Sequence, residues 1–322
     1  MNLTVSAVFA FAVAATVAGH ASAQPWPTRP VRVVVAFTAG GTTDILARNV
    51  GQHLTEKLGQ TFIIDNKPGA GGNLGTELVV RAPADGYTLT VNSVGPIAVN
   101  PTLYPKLPYN PLTDLVPIVQ IADVPNVLVV NPSVPATTVD ELVAHARANP
   151  GKLNYASTGI GTSAHLAGFV FAKRAGFEAT HVPYKGADAL RDLLAGRVQF
   201  MFATIPSVMP HIQSGTLRAI AVSSAARSRS LPDVPTVAER GFPGFEAGSW
   251  FGFFAPKGTP AEVVATLNKA VNEIIALPAV EAQLVKEGAD PAGGTPQRFA
   301  DFVQREFEKW RTVVRESGAT AQ

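Results

Sequence analysis

The feature that most constrains this chain is a repeated change from continuously apolar runs to amphipathic stretches of helical period, with Gly-rich turns between them. "VRVVVAF" (Val31–Phe37) has the β-branched character of a buried strand. "DILARNVGQHLTEKLG" then spaces its apolar residues by three and four up to Gly59, and "TFIIDN" is extended again. The order continues with a helix in "GGNLGTELVVRAPADG" and a strand in "YTLTVNS". Strands alternating with helices predict an α/β fold with a mainly parallel sheet covered on both faces, and strands without polar alternation agree with that.

A second α/β unit follows. A Pro-rich passage, Pro96 to Pro117, is too punctuated to predict regular elements, and "IVQIADVPNVLVVNP" then makes a long extended segment. Beyond it the pattern predicts a helix over Thr138–Gly151, the strand "LNYAST", the helix "SAHLAGFVFAKRAG", the strand "THVPY", the helix "ADALRDLLAG" and the strands "VQFMFAT" and "LRAIAVSS". "EAGSWFGFFAPKGTP" is a second long extended segment, and two helices close the chain, "PAEVVATLNKAVNEIIAL" and "PQRFADFVQREFEKWRTVVRESG". The two extended segments bracket the second unit, so the simplest topology inserts it into the first and crosses between them twice. This predicts domain 1 from residues 24–124 plus 251–322, domain 2 from 125–250, and a hinged cleft able to enclose a small molecule. A body of roughly 300 residues exceeds what one core usually serves, which also favours two domains.

The first 23 residues stand apart. An apolar core of about 14 residues, Val5 to Ala18, ends in Ala21-Ser22-Ala23, a small-x-small cleavage pattern, although no Lys or Arg precedes it. This reads as a secretory signal, too short for the roughly 20 residues of a membrane span. The chain has no cysteine, which excludes a disulfide scaffold and thiol chemistry. A formal net charge of +2 gives no footing for nucleic acid, and "RSRS" at 227–230 reads as a solvated loop.

In open α/β sheets ligands sit beyond the carboxyl ends of strands, where loops lead into helices. Two loops there share a composition. The first, "FTAGGTTD", offers backbone at Ala39, Gly40 and Gly41, hydroxyls at Thr38, Thr42 and Thr43, and Asp44; it suits an anion at a helix start, or a tight turn capped by Thr43 or Asp44. The second, "STGIGTSAH", offers Thr158, Gly159, Gly161, Thr162 and Ser163 before another helix. Facing each other across a cleft, the two would clamp an acid from both ends. His165 follows in the first turn, as a ligand contact or a local hydrogen-bonding residue. Ser93 ends the strand "YTLTVNS", Tyr184 and Lys185 end "THVPYK", and Ala203 and Thr204 end "VQFMFAT"; all five join the candidate site, with a solvated Lys185 as the alternative. A neutral Ala203 at the rim would disfavour zwitterionic amino acids. Trp250 and Phe251 suit the cleft floor or the core. The third loop, "NKPGAGGNLG", suits ligand contact or close backbone packing and is left out of the site.

Other chemistries fit less well. Gly159-x-Gly161-x-x-Ala164 matches the dinucleotide fingerprint, but Glu178 precedes a strand instead of ending one. There is no G-x-S-x-G elbow, and the six histidines form no H-x-x-x-H pair, so neither a serine hydrolase nor a zinc site is expected. No cofactor is expected. A secreted α/β enzyme using His165 or Lys185 stays as an alternative.

With "WPTRPVRVVVAFTAGGTTDILAR", "DNKPGAGGNLGTELVVRAPADGYTL", "YASTGIGTSAHLAG", "HVPYKGADALRDLLAGRVQFMF", "LRAIAVSSAARSRSLPDVPTVAERGFPGFE" and "WFGFFAPKGTPAEVV" in view, the chain closely resembles the substrate-binding proteins of tripartite tricarboxylate transporters, the Bug family of extracytoplasmic solute receptors. The resemblance implies a two-lobed, type II-like periplasmic binding protein, a monomer, that holds a small organic carboxylate with Thr38–Asp44 and Thr158–His165 through bridging waters. It further implies delivery to the large and small membrane subunits of such a transporter, or presentation to a sensor kinase. The family often carries Asp where Gln199 and, in amino-acid binders, Ala203 stand here. That departure leaves di-, tri- and aromatic carboxylates as the expected ligands.

Overall fold

The computed structural model describes residues 26–321; the expected signal segment lies outside them. The chain builds two sheets. The first contains β1 (Val31–Val35), β2 (Phe62–Asn66), β3 (Thr88–Ser93), β4 (Leu115–Val124), β10 (Ser249–Pro256) and β11 (Asp290–Pro291), in the spatial order β11-β4-β10-β3-β1-β2. The second contains β5 (Asn126–Val130), β6 (Asn154–Ser157), β7 (Thr180–Pro183), β8 (Phe200–Thr204) and β9 (Arg218–Val222), ordered β7-β6-β8-β5-β9. Around the first pack α1 (Thr42–Leu58), α2 (Asn73–Val80), α3 (Asn100–Leu103) and α4 (Pro111–Asp114). The second carries α5 (Val139–Ala148), α6 (Ser163–Ala175), α7 (Asp188–Leu194) and α8 (Ile205–Gln213). The chain then returns to the first lobe with α9 (Ala261–Ile275), α10 (Pro278–Glu287) and α11 (Pro296–Ser317).

The sheets are mixed, for a topological reason. Strands joined through helices are parallel: β1 lies between β2 and β3, and β6 between β7 and β8. The strands that carry the chain between lobes enter the other way. Only Pro125 separates β4 from β5, which pairs antiparallel with β8 and β9, while β10 pairs antiparallel with β3 and β4. The two-lobed α/β architecture with two crossing strands is therefore as expected, and its antiparallel part comes from the crossings.

Proline hid several helices. The passage Pro96–Pro117, expected to lack regular elements, holds a π-helical turn at Gly95–Val99 running into α3, and then α4. Two further helices, α8 and α10, were not anticipated. In α3, α4, α8 and α10 a proline occupies one of the first two helical positions, where its missing N–H costs no hydrogen bond. Such a proline starts a helix, although in sequence it reads as a break.

Both crossings are tied together at the base of the second lobe. Asn126 Nδ2 donates to the Ala247 carbonyl at 2.9 Å, and the same oxygen accepts from Ser223 Oγ at 2.6 Å. Ser223 Oγ also accepts from Asn126 N at 3.1 Å, and all these side chains are buried. On the first-lobe side, Trp250 Nε1 of β10 and Trp310 Nε1 of α11 donate to one oxygen, Glu306 Oε2, each at 3.0 Å. The Trp250 ring packs edge-on against Phe299 and Phe302. From there an apolar core continues without a gap through Trp310 and Phe245 to Phe171 and Phe202 of the second lobe.

The lobes also touch at the cleft mouth. Gly71, in the glycine-rich loop left out of the site, lies against Ile160, and Tyr104 OH donates to the Ile160 carbonyl at 3.3 Å. A Cβ on Gly71, at φ +62°, would stand 2.0 Å from that carbonyl oxygen. Backbone on both sides leaves nothing to yield. Gly71→Ala is therefore expected to hold the lobes apart: small-angle X-ray scattering of the ligand-free protein should give a larger radius of gyration than wild type with unchanged far-UV circular dichroism. Superimposable scattering curves would contradict this contact.

Candidate functional site

The β1–α1 loop owes its shape to Asp44. This buried carboxylate accepts from Gly40 N at 2.9 Å, from Asn66 Nδ2 at 3.0 Å and from Arg48 Nε at 2.9 Å, while Asn66 Nδ2 also donates to the Phe37 carbonyl at 3.0 Å. Burial opposes the charge on Asp44, but the hydrogen bonds from Arg48, Gly40 and Asn66 and the Arg48 charge outweigh it and hold the carboxyl below its usual range. Gly40, at φ +82°, turns the chain into the Gly41 cap of α1. Gly41 has no side chain to cap the helix, so the N–H groups of its first turn, from Thr42 to Asp44, are presented to the cleft side of the loop.

The β6–α6 loop is built differently. Thr162 caps α6, accepting from His165 N at 3.4 Å and donating to the Gly159 carbonyl at 2.7 Å. Gly161 N donates to His165 Nδ1 at 3.2 Å, and Ser157 Oγ lies 2.7 Å from His181 Nε2. The two imidazoles are stacked, their centroids 4.2 Å apart. Burial pushes His165 down to about 4; burial, and then the neighbouring His165, push His181 down to about 3. Both are neutral at pH 7.

A third helix start joins these two. Thr204 stands at the N-cap position of α8 without a capping hydrogen bond, and its Oγ1 lies 2.7 Å from Thr42 Oγ1 across the cleft; Ile205 N donates to the Pro125 carbonyl at 3.3 Å and Pro206 has no N–H, so this start offers its hydroxyl. Beside it Thr38 reaches into the β7–α7 turn of the other lobe, accepting from Ala187 N at 2.7 Å and donating to the Lys185 carbonyl at 3.2 Å. Gly186 makes room, since a Cβ there would stand 2.3 Å from Thr38 Oγ1.

Between the lobes lies a cavity of about 50 Å³. The starts of α1, α6 and α8 wall it with Gly41, Thr42, Thr43, Thr162, Ser163 and Thr204; Ser93, Thr158 and Ser249 add hydroxyls, and Phe37, Val94 and Phe251 add apolar surface. None of the described residues lining it is charged. Helix starts concentrate partial positive charge on donors, so this wall can hold an anion through N–H and O–H groups without a fixed cation. Among the described residues no three or more His, Cys, Asp or Glu side chains group as metal ligands.

Of the residues expected at the site, Gly41, Thr43, Ser93, Thr158, Thr162, Ser163 and Thr204 meet at this cavity. The others take different positions. Ala39 and Gly40 are exposed on the loop, Asp44 lies behind it, and Thr38 bonds the opposite lobe. Gly159 packs against Gly71, and Gly161 against Asn100 of the first lobe. His165 points its Nδ1 at Gly161 N. Tyr184 OH donates to Asp192 at 2.8 Å, and Lys185 is exposed. Ala203 needs a correction: it is fully buried among Val127, Ala156 and Val222 in the second-lobe core, so it gives no argument about an ammonium group. Glu178, the acid of the dinucleotide reading, is exposed at the far end of α6. Phe37, Val94, Gly186, Ala187 and Ser249 line the cavity without having been placed there, while Thr42, offered as a loop hydroxyl, and Phe251, offered for the cleft floor or the core, line it as well. Thr42 had a signal in its own loop and Phe251 in its crossing strand; Gly186 and Ala187 had none beyond following a strand end.

The sequence profile described as tripartite tricarboxylate transporter family receptor matches residues 46–319. Protein BugT of Bordetella pertussis is 41% identical over 323 residues, covering 99% of each chain. The solved structure of R. palustris Rpa4515 with adipate is 42% identical with a TM-score of 0.90, covering 92% of this chain and 99% of that one. MatC (Rpa3494) from Rhodopseudomonas palustris with bound malate is 34% identical with a TM-score of 0.86, covering 90% and 100%.

The two neutral histidines set a pH dependence. Their folded values lie below the unfolded value of about 6.5, so the unfolded chain binds more protons below that pH. Their contribution is complete above about 6.5 and is lost as pH falls towards 4, at up to about 1.4 kcal/mol per pH unit for each ring. Chemical denaturation of wild type between pH 7 and 4 should show this decline, and His165→Asn should show a shallower one. Parallel slopes would mean that His165 does not titrate in this way.

Proposed function

This chain belongs to the tripartite tricarboxylate transporter receptor family, and from that premise we propose that it is a periplasmic receptor that captures a small organic carboxylate by closing two lobes over it. The observation that carries this reading is the convergence of the α1 and α6 helix starts and eight hydroxyl side chains on one cavity with an uncharged wall. Buried donors that have lost water are best repaid by a group that only accepts, and an ionised carboxylate offers about four acceptor sites. Adipate and malate, held by the relatives above, have that chemistry in common.

The residues we assign to ligand contact are Gly41, Thr43, Ser93, Thr158, Thr162, Ser163 and Thr204 from the initial reading, with Thr42 and Ser249 added. We place the first domain at 24–124 plus 251–322 and the second at 125–250; β5–β9 fall within the latter range and β10 crosses back from Ser249. Closure draws on the bonds from Thr38 to Lys185 and Ala187 and on the Thr42–Thr204 pair. A ligand that bridges the same lobes shifts the population further towards the shut form. Delivery of the acid to the large and small membrane subunits of a tripartite transporter completes the proposed role. A receptor is favoured over an enzyme because the described cavity wall holds no His, Lys, Asp, Glu, Tyr or Cys to act as acid or base.

A thermal-shift screen of several dozen di-, tri- and aromatic carboxylates tests the proposal. A ligand present at 100 times its Kd should add about 2.7 kcal/mol of stability. Thr43→Val conserves volume and removes one donor, so it should weaken binding roughly tenfold with little change in the melting temperature of the ligand-free protein. A screen without a stabilising acid, or a Thr43→Val protein that responds like wild type, would refute the assignment.

A further inference from the structure

Two imidazoles lie behind the anion loop, where ligand contact does not require them. Tyr155, His181 and His165 form a continuous stack beginning on Phe200: Phe200 to Tyr155 is 5.6 Å, Tyr155 to His181 is 4.9 Å and His181 to His165 is 4.2 Å between ring centroids, with interplanar angles of 20–23°. Phe200 and Tyr155 belong to the core of the second lobe, so the stack is a rigid column rising from β8 and β6 to the start of α6. Its last two rings are wired to the loop. His165 Nδ1 accepts from Gly161 N at 3.2 Å. His181 Nε2 meets Ser157 Oγ at 2.7 Å, and that hydroxyl in turn accepts from Gly159 N at 3.2 Å. Gly161 N is therefore bonded to a histidine directly, and Gly159 N is linked to one through Ser157, whose Oγ also lies 3.1 Å from the Gly159 carbonyl.

The loop needs this support. Gly159 at φ +139° and Gly161 at φ +81° hold backbone shapes that other residues rarely adopt, and glycine has no strong preference for them over others. We propose that the stacked pair His165 and His181 are positioning residues for the ligand loop 157–163, acting on a bound carboxylate only through Gly159 and Gly161. This rests on the carboxylate reading of the cavity. Imidazole suits the task on three counts. It is flat enough to stack, it offers an acceptor on one nitrogen, and in its neutral form it places no charge behind an anion. An aspartate would accept the same Gly161 bond but would repel the ligand.

The deciding experiment is residue-resolved amide hydrogen exchange of the ligand-free, full-length mature protein, so its result does not depend on whether a carboxylate binds. In His165→Leu the Gly161 amide should exchange at least about tenfold faster, while amides of the β6 and β8 strands keep wild-type rates. His165→Asn supplies an oxygen acceptor near the former Nδ1 and should restore Gly161 protection to within about threefold of wild type. In His181→Phe, which keeps the stack and removes the link to Ser157, Gly159 should lose protection and Gly161 should keep it. Unchanged Gly161 exchange in His165→Leu, loss in His165→Asn as great as in His165→Leu, or unchanged Gly159 exchange in His181→Phe would each overturn the proposal. Should His165→Leu fail to fold, the other two variants decide it. A failure of the carboxylate screen with the predicted exchange pattern would overturn the ligand reading and leave the positioning role standing.

Discussion

Helix starts carry N–H groups that their own helices cannot satisfy, and this protein brings two such starts, one from each lobe, to one small space, where the Thr204 hydroxyl at the head of α8 joins them. The rest of the architecture follows from that concentration of donors. Parallel β-α units put loops at the carboxyl ends of β1 and β6, and β8, parallel to β6, ends at the same seam with Thr204. The wall carries no charged side chain among the described residues, and the carboxylate of Asp44, next to Thr43 in the chain, is turned back into its own loop by Arg48, Asn66 and Gly40. A fixed cation in the wall would attract an anion more strongly but would also accept any anion. Directional donors select by shape, and the price in desolvation is small for hydroxyls that otherwise bind water.

The seam is closed by close backbone approaches as well as by side chains. Gly71 against Ile160 and Gly186 against Thr38 are approaches that a Cβ would prevent, and one on Gly159 would crowd Gly71 Cα at 3.2 Å. At the opposite end, the buried Asn126–Ser223–Ala247 cluster binds both crossing strands to the second lobe. Ser163 Oγ, on the cavity wall, lies 3.4 Å from Asn126 Oδ1, so hinge and ligand wall share a polar network. The two crossing strands are thereby held to one another at one end of the second lobe, and the glycine contacts join the lobes at the other.

Much of this was legible from residue order. The Gly- and Thr-rich loops after "VRVVVAF" and "LNYAS" mark helix starts because only such residues permit both the turn and the close approach, and seven of the residues read from strand ends and loops do reach the cavity. What escaped has physical causes. Helix α8 opens with Pro206 at its start and contains Pro210, so the third helix start at Thr204 had no visible helix behind it. Ala203 and Thr204 adjoin at one strand end, but successive strand residues face opposite sides, and the phase that sends Ala203 into the core and Thr204 to the cavity depends on what covers each face. His165 and His181 lie 16 positions apart, and only the β6–β7 pairing brings their rings together.

The shared acceptor Glu306 gives the molecule a built-in optical readout. Trp250 follows Ser249, which lines the cavity, and precedes Phe251, which also lines it, while Trp310 stands on the long helix that reaches the second lobe. Both indoles donate hydrogen bonds to one carboxylate oxygen, and indole emission responds to the charge and polarity around that N–H. Any swing of the crossing strand must alter the electrostatic field at both chromophores together, so intrinsic fluorescence should follow domain movement without an attached dye.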